Sequence, residues 1–140
     1  MTGEFFLQTK SRTDFVEITG QVQDFLTDTG ATDGFKGSGA LVVFTPHTTA
    51  AVTINENADP SVVRDMAHTL DRMVPWADPA YAHSEGNSAA HLKSSLVGCS
   101  EMVLFSDGRL ELGRWQGIFL CEFDGPRTRQ VKVRIIGSGG

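Results

Sequence analysis

The segment Asn87-Ser88-Ala89-Ala90-His91-Leu92-Lys93-Ser94-Ser95 gathers an imidazole, an ammonium, an amide and hydroxyls into one short stretch. An imidazole carries protons near neutral pH. Asn87 is a fitting cap for a helix running to Val97, which would put His91 one turn in, on a face with Ser94 and Ser95. Lys93 points elsewhere on such a helix but can curl toward its start, where free backbone amides favour an anion. Two other segments set chemical side chains in apolar surroundings: Pro46-His47-Thr48-Thr49-Ala50 and Ile54-Asn55-Glu56-Asn57-Ala58-Asp59-Pro60. His47 falls where an apolar strand ends, a common address for site residues. The same position suits a histidine that ties a loop down through hydrogen bonds.

His83 and Glu85 lie between Pro79 and Gly86 in a stretch without apolar periodicity. His68 shares the polar side of its segment with Arg64, Asp65, Asp71 and Arg72 and reads as a solvated surface residue. Three histidines, His47, His83 and His91, could hold a divalent metal with an open position. No HExxH spacing is present, so they would have to converge through the fold. A base-and-anion pocket without metal uses the same side chains equally well. Glu122 shares a strand face with Gln116, Ile118 and Leu120, and a buried carboxylate there needs Arg127 or Arg129 as partner. Trp115 reads as a core aromatic, with Arg114 and Gln116 beside it as polar contacts.

The elements that position these groups follow from periodicity. Phe5–Gln8 and Phe15–Ile18 read as strands, and Val22, Phe25 and Leu26 form a helical stripe that Gly30 can end. Asp33 to Gly39 is a glycine-rich loop without the lysine-serine ending of a P-loop. Leu41–Phe44 is continuously apolar, as in a strand covered on both faces. Val52 and Ile54 alternate with Thr53 and Asn55. Asp59 then caps a helix with Pro60 in its first position, its apolar face formed by Val63, Met66, Ala67, Leu70 and Val74, and Pro75 stops it. Met102–Phe105 runs into an Asp107-Gly108 turn. A long apolar strand from Trp115 to Phe123 turns at Asp124-Gly125-Pro126 into Val131, Val133 and Ile135, which alternate with Lys132 and Arg134. The pattern predicts an α+β fold: a single domain over residues 1–140, with an antiparallel β-sandwich-like core, about eight strands and three helices. Residues 137–140 read as a flexible tail.

Composition narrows the function classes. With 140 residues, 40% of them hydrophobic, the chain can bury a core of its own. A net charge of -5 argues against a broad nucleic-acid or membrane surface. No basic region leads into an apolar run at the start, and no stretch approaches the length of a spanning helix, so a cytoplasmic location is expected. Cys99 and Cys121 lack CxxC spacing and each reads as a small buried apolar residue.

Taken together, His47-Thr48-Thr49-Ala50, Asn55 to Pro60, Asp65, Glu85-Gly86-Asn87, His91 to Ser95, Gly98 and Gly113-Arg114-Trp115-Gln116-Gly117 resemble, in order, the YjbQ family, also called secondary thiamine-phosphate synthase-like. The resemblance implies an α+β fold, a homotrimer, and weak condensation of a pyrimidine diphosphate with a thiazole phosphate. It implies a pocket with His47, His91 and Glu56 as catalytic groups. Asn57, Asn87, Lys93, Ser94, Arg114 and Gln116 would hold a small phosphorylated substrate. Such a transfer calls for cations on the leaving pyrophosphate, from Lys93, Arg114 or a divalent ion (Zn or Mg) on His47, His83 and His91. The alternatives are a metal-dependent hydrolase and a non-catalytic anion- or metal-binding module.

Overall fold

Alternation decides which face of each strand turns inward, and the strands here sort their side chains cleanly. The computed structural model describes residues 2–33 and 37–139. It opens with strands β1 (Thr2–Gln8) and β2 (Asp14–Glu17), helix α1 (Thr19–Asp33), and strands β3 (Ser38–Phe44) and β4 (Ala50–Glu56). Helices α2 (Pro60–Met73) and α3 (Ser88–Val97) come next, then strands β5 (Ser100–Ser106), β6 (Arg109–Leu110), β7 (Gln116–Glu122) and β8 (Thr128–Gly139). The α+β reading holds. An antiparallel five-stranded sheet, β1-β8-β3-β5-β6, curls over a three-stranded one, β2-β7-β4.

Two cores divide the apolar residues. The larger lies between the sheets, with Leu41 and Val43 of β3, Val103 and Phe105 of β5, and Val131 and Val133 of β8 on one side. Val52, Ile118 and Leu120 face them, and Ile18, Val22 and Leu26 bring α1 into the same space. The smaller core, Ala51, Ala90, Cys121 and Phe123, lies on the other face of β4 and β7, under α3. β7 is therefore buried on both faces from Gly117 to Glu122, as its continuous apolar run predicts. Each fully buried aliphatic side chain here contributes about 1.5–3 kcal/mol.

Several local expectations hold and several need correction. Asp59 caps α2, its Oδ1 accepting from Ser61 N–H at 2.9 Å, with Pro60 in the first turn. Asp107 and Gly108 both take positive φ (51° and 77°), the geometry of a tight hairpin turn between β5 and β6. By contrast α1 runs through Gly30 to Asp33, since glycine inside a helix costs only about 1 kcal/mol. Of the glycine-rich stretch, residues 34–36 lie outside the described residues, and Ser38 and Gly39 already pair in β3. β3 is covered on one face only, with Phe44 37% exposed on the other. Gly137 to Gly139 extend β8 by pairing with Ala40, Gly39 and Ser38, so the backbone there is strand and not tail. Among the described residues no helix is long and apolar enough to cross a membrane.

Candidate functional site

At the start of β4 the turn Thr45–Thr49 faces α3 across a hollow of about 430 Å³, lined by His47 and Thr48 on one wall and by His91, Ser94 and Ser95 on the other. That volume lies in the range of small-molecule sites. The helical wall follows from spacing: positions 91, 94, 95 and 98 fall on one face of a helix. Gly98, with φ 100°, ends α3, and Gly98 and Cys99 close that side of the hollow. Ser94 is 8% exposed, and its Oγ, buried, has no hydrogen-bond partner. A buried hydroxyl without a partner is costly. Ser94 is among the residues lining the hollow, so rotation of its hydroxyl toward a ligand oxygen there would satisfy it.

His47 is held from behind. The backbone N–H of Gln130 donates to its Nε2 at 2.9 Å. A backbone amide can only donate, so Nε2 presents a lone pair and the neutral ring carries its proton on Nδ1. Burial lowers the His47 pKa below its ordinary 6.5, and the nearby positive charges of Arg129 and Arg127 add to this against the opposing Glu122. The ring is therefore neutral at physiological pH.

Beneath this turn lies a buried ion pair. Arg129 is 2% and Glu122 0% exposed. The guanidinium donates to Glu122 through Nε at 2.8 Å and again through Nη2. Nη2 also reaches Thr49, its carbonyl at 3.1 Å and its Oγ1 at 2.8 Å. Glu122 accepts further bonds from Thr9 Oγ1 (2.8 Å) and Asp124 N–H (2.9 Å). Burial alone would raise the Glu122 pKa, but the bonds from Arg129, Asp124 and Thr9 outweigh it and hold the carboxyl below its ordinary 4.5. Of the two arginines that the sequence offers, the structure selects Arg129. Its position continues the inward parity of Val131 and Val133, whereas Arg127 pairs with Asp124 on the surface.

The remaining site residues divide sharply. His83 packs edge-on against His91, ring centroids 5.4 Å apart, but is itself exposed at the rim beside Glu85 (3.9 Å). His68 is exposed on α2 and does not line the hollow. Lys93 does not curl toward the helix start: it is buried against Asp71 of α2, with the Phe123 ring 5.9 Å away. Asn87 begins α3 without capping it by its side chain; Nδ2 donates to Asp124 at 2.8 Å, and Oδ1 is buried without a partner. Glu56, Asn57, Arg114 and Gln116 stand at the other end of the β4–β7 pair. Ala50 pairs with Glu122 at the end beside the hollow, whereas Glu56 pairs with Gln116 at the far end. Six strand steps of about 3.3 Å separate the two ends by roughly 20 Å. At that far end Asn57 Nδ2 donates to Glu17 (2.9 Å), Gln116 Oε1 accepts from Gly113 N–H (2.8 Å), and Arg114 lies 4.8 Å over Trp115. Trp115, expected in the core, is 55% exposed because β7 begins after it.

The three-histidine metal set does not assemble within the chain. Among the described residues no three His, Cys, Asp or Glu side chains are grouped so as to hold an ion. The lone pair of His47 Nε2 is already taken by Gln130, and a metal needs such a lone pair. Cys121 is buried as expected, its thiol pKa pushed up by burial. Cys99 is exposed and borders the hollow, because it follows the glycine that ends α3. The anchoring roles of Gln130 and Cys99's position were missed in the sequence; a backbone donor leaves no trace in residue type.

The fold, two curled antiparallel sheets with three helices, is shared by a known class of small α+β proteins. A family model described as UPF0047 protein YjbQ-like matches residues 3–138, and the chain belongs to that family. It is 50% identical over 131 residues to the UPF0047 protein YugU of Bacillus subtilis, covering 94% of this chain and 96% of that protein. It is 45% identical over 139 residues to the UPF0047 protein MJ1081 of Methanocaldococcus jannaschii, covering 98% and 95%. Among solved structures, a YjbQ/UPF0047 family protein of Clostridium acetobutylicum superposes with a TM-score of 0.89 at 47% identity, over 96% of this chain and 99% of that one. A hypothetical protein of Aeropyrum pernix gives 0.88 at 36% identity, with 98% of each chain covered. None of these names states a reaction.

Proposed function

We propose that the His47–His91 hollow binds a small phosphorylated molecule and moves a proton on it, with His91 as the proton carrier. The reaction class that the resemblance implies is thiamine-phosphate synthase-like condensation. One observation carries the reading: the buried, unpartnered hydroxyl of Ser94 in a hollow walled by two imidazoles. Neutral donors, Ser94, Ser95, Thr48 and the Nδ1–H of His47, would meet the phosphoryl oxygens.

A second reading, a binding module without turnover, is favoured by the placement of the cations. Lys93 is committed to Asp71, and among the described residues no ammonium or guanidinium lines the hollow to neutralise a leaving pyrophosphate. Assembly as a homotrimer belongs to the same proposal. It draws support from the open outer face of the five-stranded sheet, where Phe6, Met102, Leu104 and Ile136 are each more than half exposed. Exposed apolar patches of this kind are typical of interfaces.

The deciding experiment offers purified protein a pyrimidine diphosphate and a thiazole phosphate, before and after treatment with a chelator, and measures pyrophosphate binding by calorimetry. Turnover that survives the chelator supports the enzyme reading. Binding without turnover selects the module. Neither binding nor turnover rejects both. Sedimentation at micromolar concentration should give three times the chain mass, and a monomer throughout would reject the assembly.

A further inference from the structure

We propose that the buried Arg129–Glu122 pair positions the hollow: it clamps the Thr45–Thr49 turn to β8 so that His47 serves as a fixed Nδ1–H donor and His91 is left as the proton acceptor. This rests on the reading of the hollow as a ligand site and assigns different roles to its two imidazoles.

Two consecutive residues of β8 make the clamp. The Arg129 side chain holds Thr49 at both its carbonyl and its hydroxyl. The Gln130 backbone holds the two residues before it in the turn: its N–H binds His47 Nε2 at 2.9 Å, and its carbonyl accepts from Thr45 Oγ1 at 3.0 Å. The turn is thus tied to one strand at positions 45, 47 and 49. Neither member of the ion pair can itself reach a ligand, since both are buried and Glu122 already accepts from Thr9, Arg129 and Asp124. Their effect on the site passes through Thr49.

The consequence for His47 is chemical. A protonated His47 would set an N–H against the Gln130 N–H, so the clamp selects the lone pair at Nε2 and the proton at Nδ1. The two nitrogens lie on diverging edges of the ring, so with Nε2 bonded to β8 the proton sits on the edge that this bond does not hold. With Ser94 Oγ also lacking a partner, the hollow offers two kinds of donor to one acceptor class: a carbonyl or phosphoryl oxygen. Among the described residues no backbone donor holds the His91 ring in this way, which leaves His91 as the imidazole for proton transfer.

Long-range imidazole ¹H–¹⁵N spectra of the uniformly labelled full chain test the proposal, with signals assigned through His47→Gln and His91→Gln. At pH 8 His47 should show an unprotonated Nε2 and a protonated Nδ1 as a single tautomer. Arg129→Lys, and the milder Thr49→Val, should convert it to a mixture in proteins that still show a folded amide spectrum. A His47 protonated on Nε2 in the native chain overturns the proposal. So does a tautomer that stays single in both folded variants. Inorganic pyrophosphate added to the native protein separates the two levels: a fixed His47 with no response of His47 or His91 to the probe rejects the hollow as a phosphate site while leaving the clamp standing.

Discussion

The two ends of the β4–β7 pair carry similar side chains to different effect. At the Ala50–Glu122 end, a carboxylate, an arginine and threonines are buried, every oxygen of Glu122 is bonded, and the turn above them presents an imidazole to a hollow. At the Glu56–Gln116 end, an arginine and two amides stand in solvent beside the half-buried carboxylate of Glu56, with Arg114 resting on an exposed tryptophan. Polar residues in water are positioned weakly, because long side chains keep their rotamer freedom. Polar residues in a core are positioned firmly, because an unpaired buried group is so costly. The first end therefore holds a geometry, and the second offers only contacts.

The largest effect expected from this contrast is on the ion pair. Glu122→Gln leaves the Arg129 charge buried with a weaker partner and should cost about 3–5 kcal/mol of stability in urea unfolding. Replacing both, Glu122→Leu with Arg129→Met, should recover much of that loss. If Glu122→Gln were no more harmful than an average surface change, the buried end would not be the organised one.

Acid should act through the same carboxylate. The pKa of Glu122 is depressed in the folded state, so its contribution is fully present above its ordinary value of 4.5 and is lost as pH falls through the lower folded value. Stability measured from pH 6 downward should fall below about 4.5, more steeply in the native chain than in the double variant. Equal slopes would show that other carboxylates dominate acid unfolding.

The far end supplies the smallest stability effects. Arg114→Ala, at an exposed position, should change unfolding free energy by no more than about 0.5 kcal/mol. Glu56→Gln, which keeps the shape of a half-buried side chain and an oxygen for the Asp59 N–H, should cost far less than Glu122→Gln. Arg114→Ala also sharpens the comparison functionally. If it reduced ligand binding as much as a change at His91, the two ends would have to meet across copies of the chain, and their separation within one chain would not describe the working site.

Much of the fold could be read in the residues because burial follows periodicity. The inward parity of Val131 and Val133, the Asp59-Pro60 helix start and the Asp107-Gly108 turn are all local rules, and the structure obeys them. The face shared by His91, Ser94 and Ser95 was legible for the same reason. The orientation of Lys93 was not: its burial depends on Asp71 lying opposite, a contact between helices that no local pattern encodes. Trp115 likewise reads as a core residue by type, whereas its exposure depends on where β7 begins pairing. The strand pattern also could not show that Glu56 and His47 stand at opposite ends of one strand pair, because that depends on register.

The central claim is that the hollow works through His91 and that His91 contributes little to the fold. The most direct measurement takes His91→Ala and follows melting, pyrophosphate binding and thiamine-phosphate formation on one preparation. His91 lies on the hollow side of α3, and alanine is a good helix former, so melting should barely change. Binding or turnover should fall by roughly tenfold or more, as when a general acid–base group is removed. Unchanged binding and turnover beside a large loss of melting temperature would make His91 a structural residue and contradict the account.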